Sequence, residues 1–413
     1  MKAPQADNHN PASRPAPASS SEPAKAGLLE PEKENLRQLL CEARGVIRSC
    51  FAIPDDAACS AAFDAVWPEC TRDIVPYPPP SMKNRSEGVR AGRCLAKEVA
   101  GRFPDRRTSP ACAAALAAQE EETLAEARHG VHTTVHDTSA RSGPPPAPPP
   151  QLFSLVRFPS PTGALPAYVT PRPRTSKRLP AIVWIAGGFD PSIDESFWSD
   201  EPRNNDQTAR AFRDAGLVLM LPARRGGNDS TAPRESFFGE VDDVIAAADF
   251  VSKLDYVDPT RIYLGGHSTG GTLALLVAEM TDRFRAVFSF GPVANVGSYG
   301  NEVTFDPSDD LEVRVRSPGY FLAGIHSPTF VLEGGAAPSN FDQLSRLTPR
   351  KSGVPVHVYP VPGFNHFSLL SPATELLATK IASSASGDVV VTQEELDALS
   401  TSSSARKSSR KTQ

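Results

Sequence analysis

The stretch Arg261-Ile-Tyr-Leu-Gly-Gly-His-Ser-Thr-Gly-Gly-Thr-Leu-Ala274 decides the fold. Its first five residues, Arg261–Gly265, read as a short strand. From Thr269 to Met280 the apolar residues have the spacing of a buried helix. Between the two lies Gly266-His267-Ser268-Thr269-Gly270, a G-x-S-x-G pattern. Glycines on both sides of the serine allow a tight strand-to-helix turn and push the hydroxyl clear of the sheet. The helix N-terminus behind it adds backbone N–H groups and a positive dipole end. The pattern alone is short, and a structural Gly-rich turn is the alternative. Its position between strand and helix makes Ser268 the candidate nucleophile.

Outward from this turn the chain alternates short apolar runs with helical patterns. Residues 181–186, 217–221, 286–290, 329–333 and 356–360 read as further strands. Residues 205–215, 238–254, 341–347 and 369–381 have helical spacing. Continuous apolar strands separated by amphipathic helices predict an α/β fold, a doubly wound and mostly parallel sheet covered on both faces. Two runs at 152–158 and 167–170, joined by a turn at Pro161-Thr-Gly, predict an antiparallel edge hairpin.

The remaining chemistry is sought where the strand order puts it. An acyl-transfer transition state needs two fixed donors for its oxyanion. The N–H of Thr269 is one candidate, and the loop Gly187-Gly188-Phe189 after an earlier strand holds the other, at Gly188 or Phe189. A Gly pair that merely turns the chain is the competing reading. Three histidines follow the serine. His357 lies within an alternating strand and His326 in a lead-in loop, whereas His366 follows the last strand directly and is the candidate general base. His267 reads as a packing residue. The orienting acid is Glu333 at a strand tip or Asp342 nine residues on. For Asp342, a helix capping box with Ser339 is an equally good account.

Composition bounds the rest. A formal net charge of -5 over 413 residues implies no broad basic surface for nucleic acid. The basic cluster Arg406, Lys407, Arg410 and Lys411 sits in a Ser-rich tail and reads as solvated. No run reaches the roughly 18 apolar residues of a membrane span, and the N-terminus lacks a secretory apolar core, so a cytoplasmic protein is expected. The six cysteines (Cys41, Cys50, Cys59, Cys70, Cys94 and Cys112) oppose that expectation. An even number in one small segment fits a disulfide-stapled module in an oxidising compartment, with buried thiols as the alternative. Their spacing matches no zinc pattern, and no metal or cofactor is expected. The proline run 143–150 reads as a stiff spacer. The expected organisation is a disordered 1–27, a helical Cys-containing module at 28–129, a Pro-rich linker at 130–150, the α/β domain at 151–385 and a disordered tail at 386–413. Residues 292–327 are a candidate lid segment.

Several separate motifs resemble the α/β-hydrolase superfamily, in its peptidase S9 (prolyl oligopeptidase)/dienelactone hydrolase-like branch. They are the turn at 264–274, the loop Trp184-Ile-Ala-Gly-Gly-Phe189, Arg225-Gly-Gly, Gly239-Glu-Val-Asp-Asp-Val, Tyr256-Val-Asp-Pro-Thr-Arg-Ile, Arg316-Ser-Pro-Gly-Tyr and Gly363-Phe-Asn-His366. The resemblance covers roughly residues 152–385. It implies a serine hydrolase acting on a small-molecule ester or a peptide, through an acyl-enzyme on Ser268. The alternatives are an S9-like peptidase without a propeller and a catalytically weak binding protein of the same fold. Two departures stand out. The usual His before the Gly pair is Ala186, and the usual Gly-x-x-Asp becomes Gly334-Gly-Ala-Ala337, which leaves the acid displaced or missing.

Overall fold

The computed structural model describes residues 53–71, 122–137, 142–349 and 352–400, together with scattered positions between 33 and 102. Segment 1–27, Cys50, Cys94, Cys112 and the basic residues 406–411 lie outside the described residues, as do most of the helical runs expected near 28–40, 89–99 and 110–127. The chain divides into two compact units, Met1–Ala115 and Leu116–Gln413.

In the smaller unit, helix α1 spans Asp56–Cys70. Asp55 caps it, accepting the Ala58 N–H at 2.7 Å and so satisfying one of the unpaired donors of the first turn. Cys59, Phe63, Val66 and Cys70 are buried along one face at helical spacing. Leu95 and Val99 belong to the same apolar cluster. Cys41 and Cys59 form a disulfide, and Cys70 is also disulfide-bonded. Among the described residues there is no free cysteine, so the buried-thiol alternative does not hold for these three.

The larger unit is built on eight strands: β1 (Ser154–Ser160), β2 (Gly163–Val169), β3 (Leu179–Ile185), β4 (Val218–Pro222), β5 (Val257–His267), β6 (Val287–Phe290), β7 (Thr329–Ala336) and β8 (Val356–Asn365). Six further helices accompany them: α2 (Leu124–Arg128), α3 (Arg210–Asp214), α4 (Glu240–Ser252), α5 (Thr269–Met280), α6 (Asp310–Arg314) and α7 (Leu370–Ser383). One sheet results, in the order β1-β2-β4-β3-β5-β6-β7-β8. The β1–β2 hairpin is antiparallel and β2 meets β4 antiparallel. All later pairs are parallel.

Strand β3 shows why the apolar runs are continuous. Ala181, Val183 and Ile185 point into a core shared with α4 and α5. Ile182 and Trp184 point into the opposite core, with Phe212 of α3 and Leu377 of α7. Side chains alternate across a strand, so a sheet covered on both faces needs apolar residues at every position. The connections reverse direction beside β3, with β4 on one flank and β5 on the other. Ligands of open α/β sheets bind at this switch point, outside the carboxyl ends of the strands.

Flanking segments join the same unit. Tyr168 donates its hydroxyl to the carbonyl of Pro146 at 2.9 Å, within the proline run. Val389, Val391 and Leu396, which composition assigned to a disordered tail, are buried in the core on the α7 side. The short apolar positions of 386–400 are too few to read as a core segment, yet they have a preformed surface to cover. Among the described residues no helix is long and apolar enough to cross a membrane.

Candidate active site

Strand β5 ends at His267 and α5 begins at Thr269, so Ser268 alone makes the turn. Its backbone is held at φ 57° and ψ -115°, a left-handed conformation that costs a non-glycine residue about 1–3 kcal/mol. Backbone bonds hold it there: the Ser268 N–H donates to Phe290 O at 2.7 Å, and the Ser268 carbonyl accepts from Thr272 N–H at 3.0 Å. The flanking glycines are required by contact. A Cβ on Gly266 would collide with the Gly270 carbonyl, and one on Gly270 with that of Ile185. Ser268 is left partly exposed at the switch point.

The loop after β3 closes over this turn. Thr269 donates its hydroxyl to the Gly188 carbonyl at 2.5 Å. A Cβ built on Gly187 would lie 3.2 Å from Cβ of Ser268. Gly188 has φ +93°, which suits glycine, and is exposed. Among the described residues, the N–H groups of Gly188, Phe189 and Thr269 donate to no protein acceptor.

On the other flank, His366 follows β8 at once. Its Nδ1 lies 3.1 Å from Oε2 and 3.3 Å from Oε1 of Glu333 in β7. The Glu333 side chain is 1% exposed and that of His366 9%, and Glu333 also accepts the Asn340 N–H at 3.3 Å. Gly291, after β6, leaves room for the pair, since a Cβ there would strike both Glu333 Oε2 and the His366 ring. Asp342 is exposed and bonded to its neighbour Gln343 at 3.1 Å. It makes no capping box. Ser339 Oγ instead donates to Gly334 O at 2.5 Å and accepts the Phe341 N–H at 2.9 Å. His326 is exposed, and His357 is exposed and stacked on Phe330 at 5.4 Å.

His267 links the two flanks. Its ring lies 4.5 Å from that of His366, its Nε2 3.1 Å from the His366 carbonyl, and its Nδ1 3.2 Å from the Gln207 side-chain amide. Burial, then the neighbouring His366, push its pKa down from 6.5 to about 3, so the ring is neutral. Sequence reading took His267 for a packing residue. Its bond to the His366 backbone and its Gln207 partner carried no local signal.

The prolyl oligopeptidase family (peptidase S9) matches residues 205–313, a span that contains the Ser268 turn. That span is similar to the peptidase S9 family. Comparison with curated protein sequences finds no match. Among solved structures, this chain is similar to a hyperthermophilic esterase from the archaeon Pyrobaculum calidifontis, at 22% identity and a TM-score of 0.43, over 57% of this chain and 86% of that one. It is similar to a puromycin-hydrolyzing peptidase of Mycobacterium tuberculosis, at 21% identity and a TM-score of 0.45, over 56% and 38% of the two chains. An acylaminoacyl peptidase from Pyrococcus horikoshii gives 14% identity and a TM-score of 0.45, over 59% and 43%. The alignment spans well under half the length of either peptidase.

The buried pair behind the site is structural. Arg225 donates through its backbone N–H, Nε and Nη2 to Asp243 at 2.9, 3.0 and 3.1 Å, and through Nη1 to Glu235 at 2.9 Å. Burial disfavours its charge, but Asp243 and Glu235 outweigh that and hold the guanidinium protonated. The pair ties the loop after β4 to α4.

Proposed function

We propose that this protein cleaves a carboxylic ester or related acyl bond through an acyl-enzyme on Ser268. The observation that carries the reading is the Glu333 carboxylate 3.1 Å from His366 Nδ1, on the flank of the strained Ser268 turn. With Nδ1–H donated to Glu333, Nε2 of His366 is the free base. It takes the Ser268 proton as Oγ bonds to the carbonyl carbon. The oxyanion is received by the N–H groups of Thr269 and of Gly188 or Phe189. Collapse breaks the bond to the leaving group, which departs with the proton from His366. Water, deprotonated by the same imidazole, then attacks the acyl-Ser268 ester, and the acid is released as His366 returns that proton to Ser268 Oγ. No metal or cofactor enters this scheme. Glu333 takes the place of the acid missing at Ala337, which favours a working site over a catalytically weak binding protein.

Labelling the folded protein with a fluorophosphonate probe tests the reading. Modification is expected at Ser268 and absent in Ser268→Ala, and an unlabelled Ser268 in folded protein sinks it. A peptidase is the second reading, favoured by the family match alone. Assays of p-nitrophenyl esters beside peptide anilides separate the two, and ester turnover is expected to dominate. The Cys41–Cys59 bond fits an oxidising compartment better than the cytoplasm.

A further inference from the structure

A cleft runs on from the oxyanion donors onto walls that the reaction above leaves unused. Gly188, Phe189, Thr269, Arg224, Arg234 and Glu240 are among its walls. It holds about 350 Å³ of empty space, part of it open to solvent.

The two arginines differ in what they already hold. Arg234 is committed to the loop, donating from Nη1 to Phe189 O at 2.6 Å and from Nη2 to Glu302 O at 3.0 Å. Arg224, two residues beyond β4, is buried. Its guanidinium makes one hydrogen bond among the described residues, from Nη2 to the Asp190 carbonyl at 3.3 Å. No carboxylate pairs with it there, in contrast to Arg225 beside it. The nearby Glu240, the main anionic neighbour of Arg224, has its Oε1 engaged by the N–H groups of Glu235 and Ser236 at 2.8 and 2.9 Å, while its buried Oε2 has no hydrogen-bond partner among the described residues and burial favours its neutral form. A guanidinium presents five donors in a fixed fork that matches a carboxylate. None of the Arg224 nitrogens is both sealed from solvent and unpartnered among the described residues, so the rest of the fork is open to an anion entering the cleft it lines.

The cleft also has a side. No residue of its wall comes from the Glu333 or His366 segments. The leaving group must lie toward His366 to receive its proton, so the acyl part faces the β3 and β4 loops.

We propose that Arg224 is a carboxylate-binding subsite for the acyl portion of the substrate. Preferred substrates are then monoesters of short dicarboxylic acids, with the free carboxylate on Arg224. This rests on the Ser268 reading of the reaction.

The full-length protein is assayed with mono-p-nitrophenyl succinate and with p-nitrophenyl butyrate, in which a methyl replaces the carboxylate. The kcat/KM ratio of the first to the second is expected to be at least about tenfold, as for a charge-assisted hydrogen bond. Arg224→Gln should lower that ratio by about the same factor, and Arg224→Lys should keep part of it. A ratio at or below one, or one that Arg224→Gln leaves unchanged, overturns the proposal. Calorimetric titration of Ser268→Ala with monomethyl succinate gives a reading without turnover. Binding should appear there and weaken at least about tenfold when Arg224→Gln is added. If the Arg224 variant does not fold, the wild-type ratio and the Ser268→Ala titration decide, and a ratio at or below one with no binding overturns it. Binding through Arg224 without hydrolysis of either ester would sink the Ser268 reading and leave the subsite standing. Hydrolysis with no carboxylate preference would do the reverse.

Discussion

His267 Nε2 lies 3.1 Å from the carbonyl oxygen of His366, so the residue beside the candidate nucleophile holds the backbone of the candidate base. The contact sets the spacing between two loops that are far apart in sequence.

Removing that donor should misplace His366 without touching the substrate. His267→Phe is expected to lower kcat for ester hydrolysis by about 10–100-fold, the cost of a displacement near 1 Å, with KM little changed. His267→Gln, which keeps a donor, should recover part of the loss. Equal kcat values for the Phe variant and the wild type would show the contact to be idle.

Burial holds the folded His267 pKa near 3, below the ordinary 6.5. Below pH 6.5 the unfolded chain takes up a proton that the folded chain refuses. The contribution is therefore fully present above pH 6.5 and is lost progressively as pH falls toward 3, by up to about 1.4 kcal/mol per unit. Urea midpoints at pH 7, 6, 5 and 4 should fall less steeply in His267→Gln than in the wild type. Parallel profiles would refute the assignment.

Glu333→Gln preserves shape but removes the charge that orients and stabilises the His366 imidazolium. A loss of about 10³–10⁴ in kcat is expected, as for comparable triads. Asp342→Asn should stay within about twofold, as a surface change remote from the chemistry. Steady-state ester kinetics compare the two directly, and the opposite ranking would exchange their roles.

Asp243→Asn leaves Arg225 buried beside a neutral group. Breaking such a pair costs about 3–5 kcal/mol, read as a lower urea midpoint. Glu235→Gln, with a side chain 18% exposed against 0% for Asp243, should cost clearly less.

Glu279 in α5 is buried, and neither carboxyl oxygen has a hydrogen-bond partner. Burial raises its pKa well above 4.5, against a smaller opposing effect of Arg128. A raised pKa gives stability that is fully present below pH 4.5 and lost as pH rises toward the folded value. Glu279→Met, similar in volume, should stabilise by about 1–3 kcal/mol at pH 8 by removing an unsatisfied buried group, and by less at pH 5. Thermal melts at the two pH values are the check.

The sheet was legible because its cause is local. Apolar runs at strand length, helical spacing between them and the glycines around Ser268 each follow from short-range rules. Ser268 and His366 could be named because each directly follows a strand, and a sheet places the ends of its parallel strands together. The choice between Glu333 and Asp342 was not local. Both follow the same strand, and only burial of Glu333 under Gly291 and Asn340 separates them. The same holds for His267, whose partners His366 and Gln207 lie 99 and 60 residues away. It also holds for Val389, Val391 and Leu396, whose burial needs a surface built by α7 and β8. Periodicity and turn chemistry act over a few residues and determined the elements and their order. Which carboxylate meets which imidazole, and which arginine pairs with a carboxylate, depends on packing between distant segments, and that the tertiary structure alone decided.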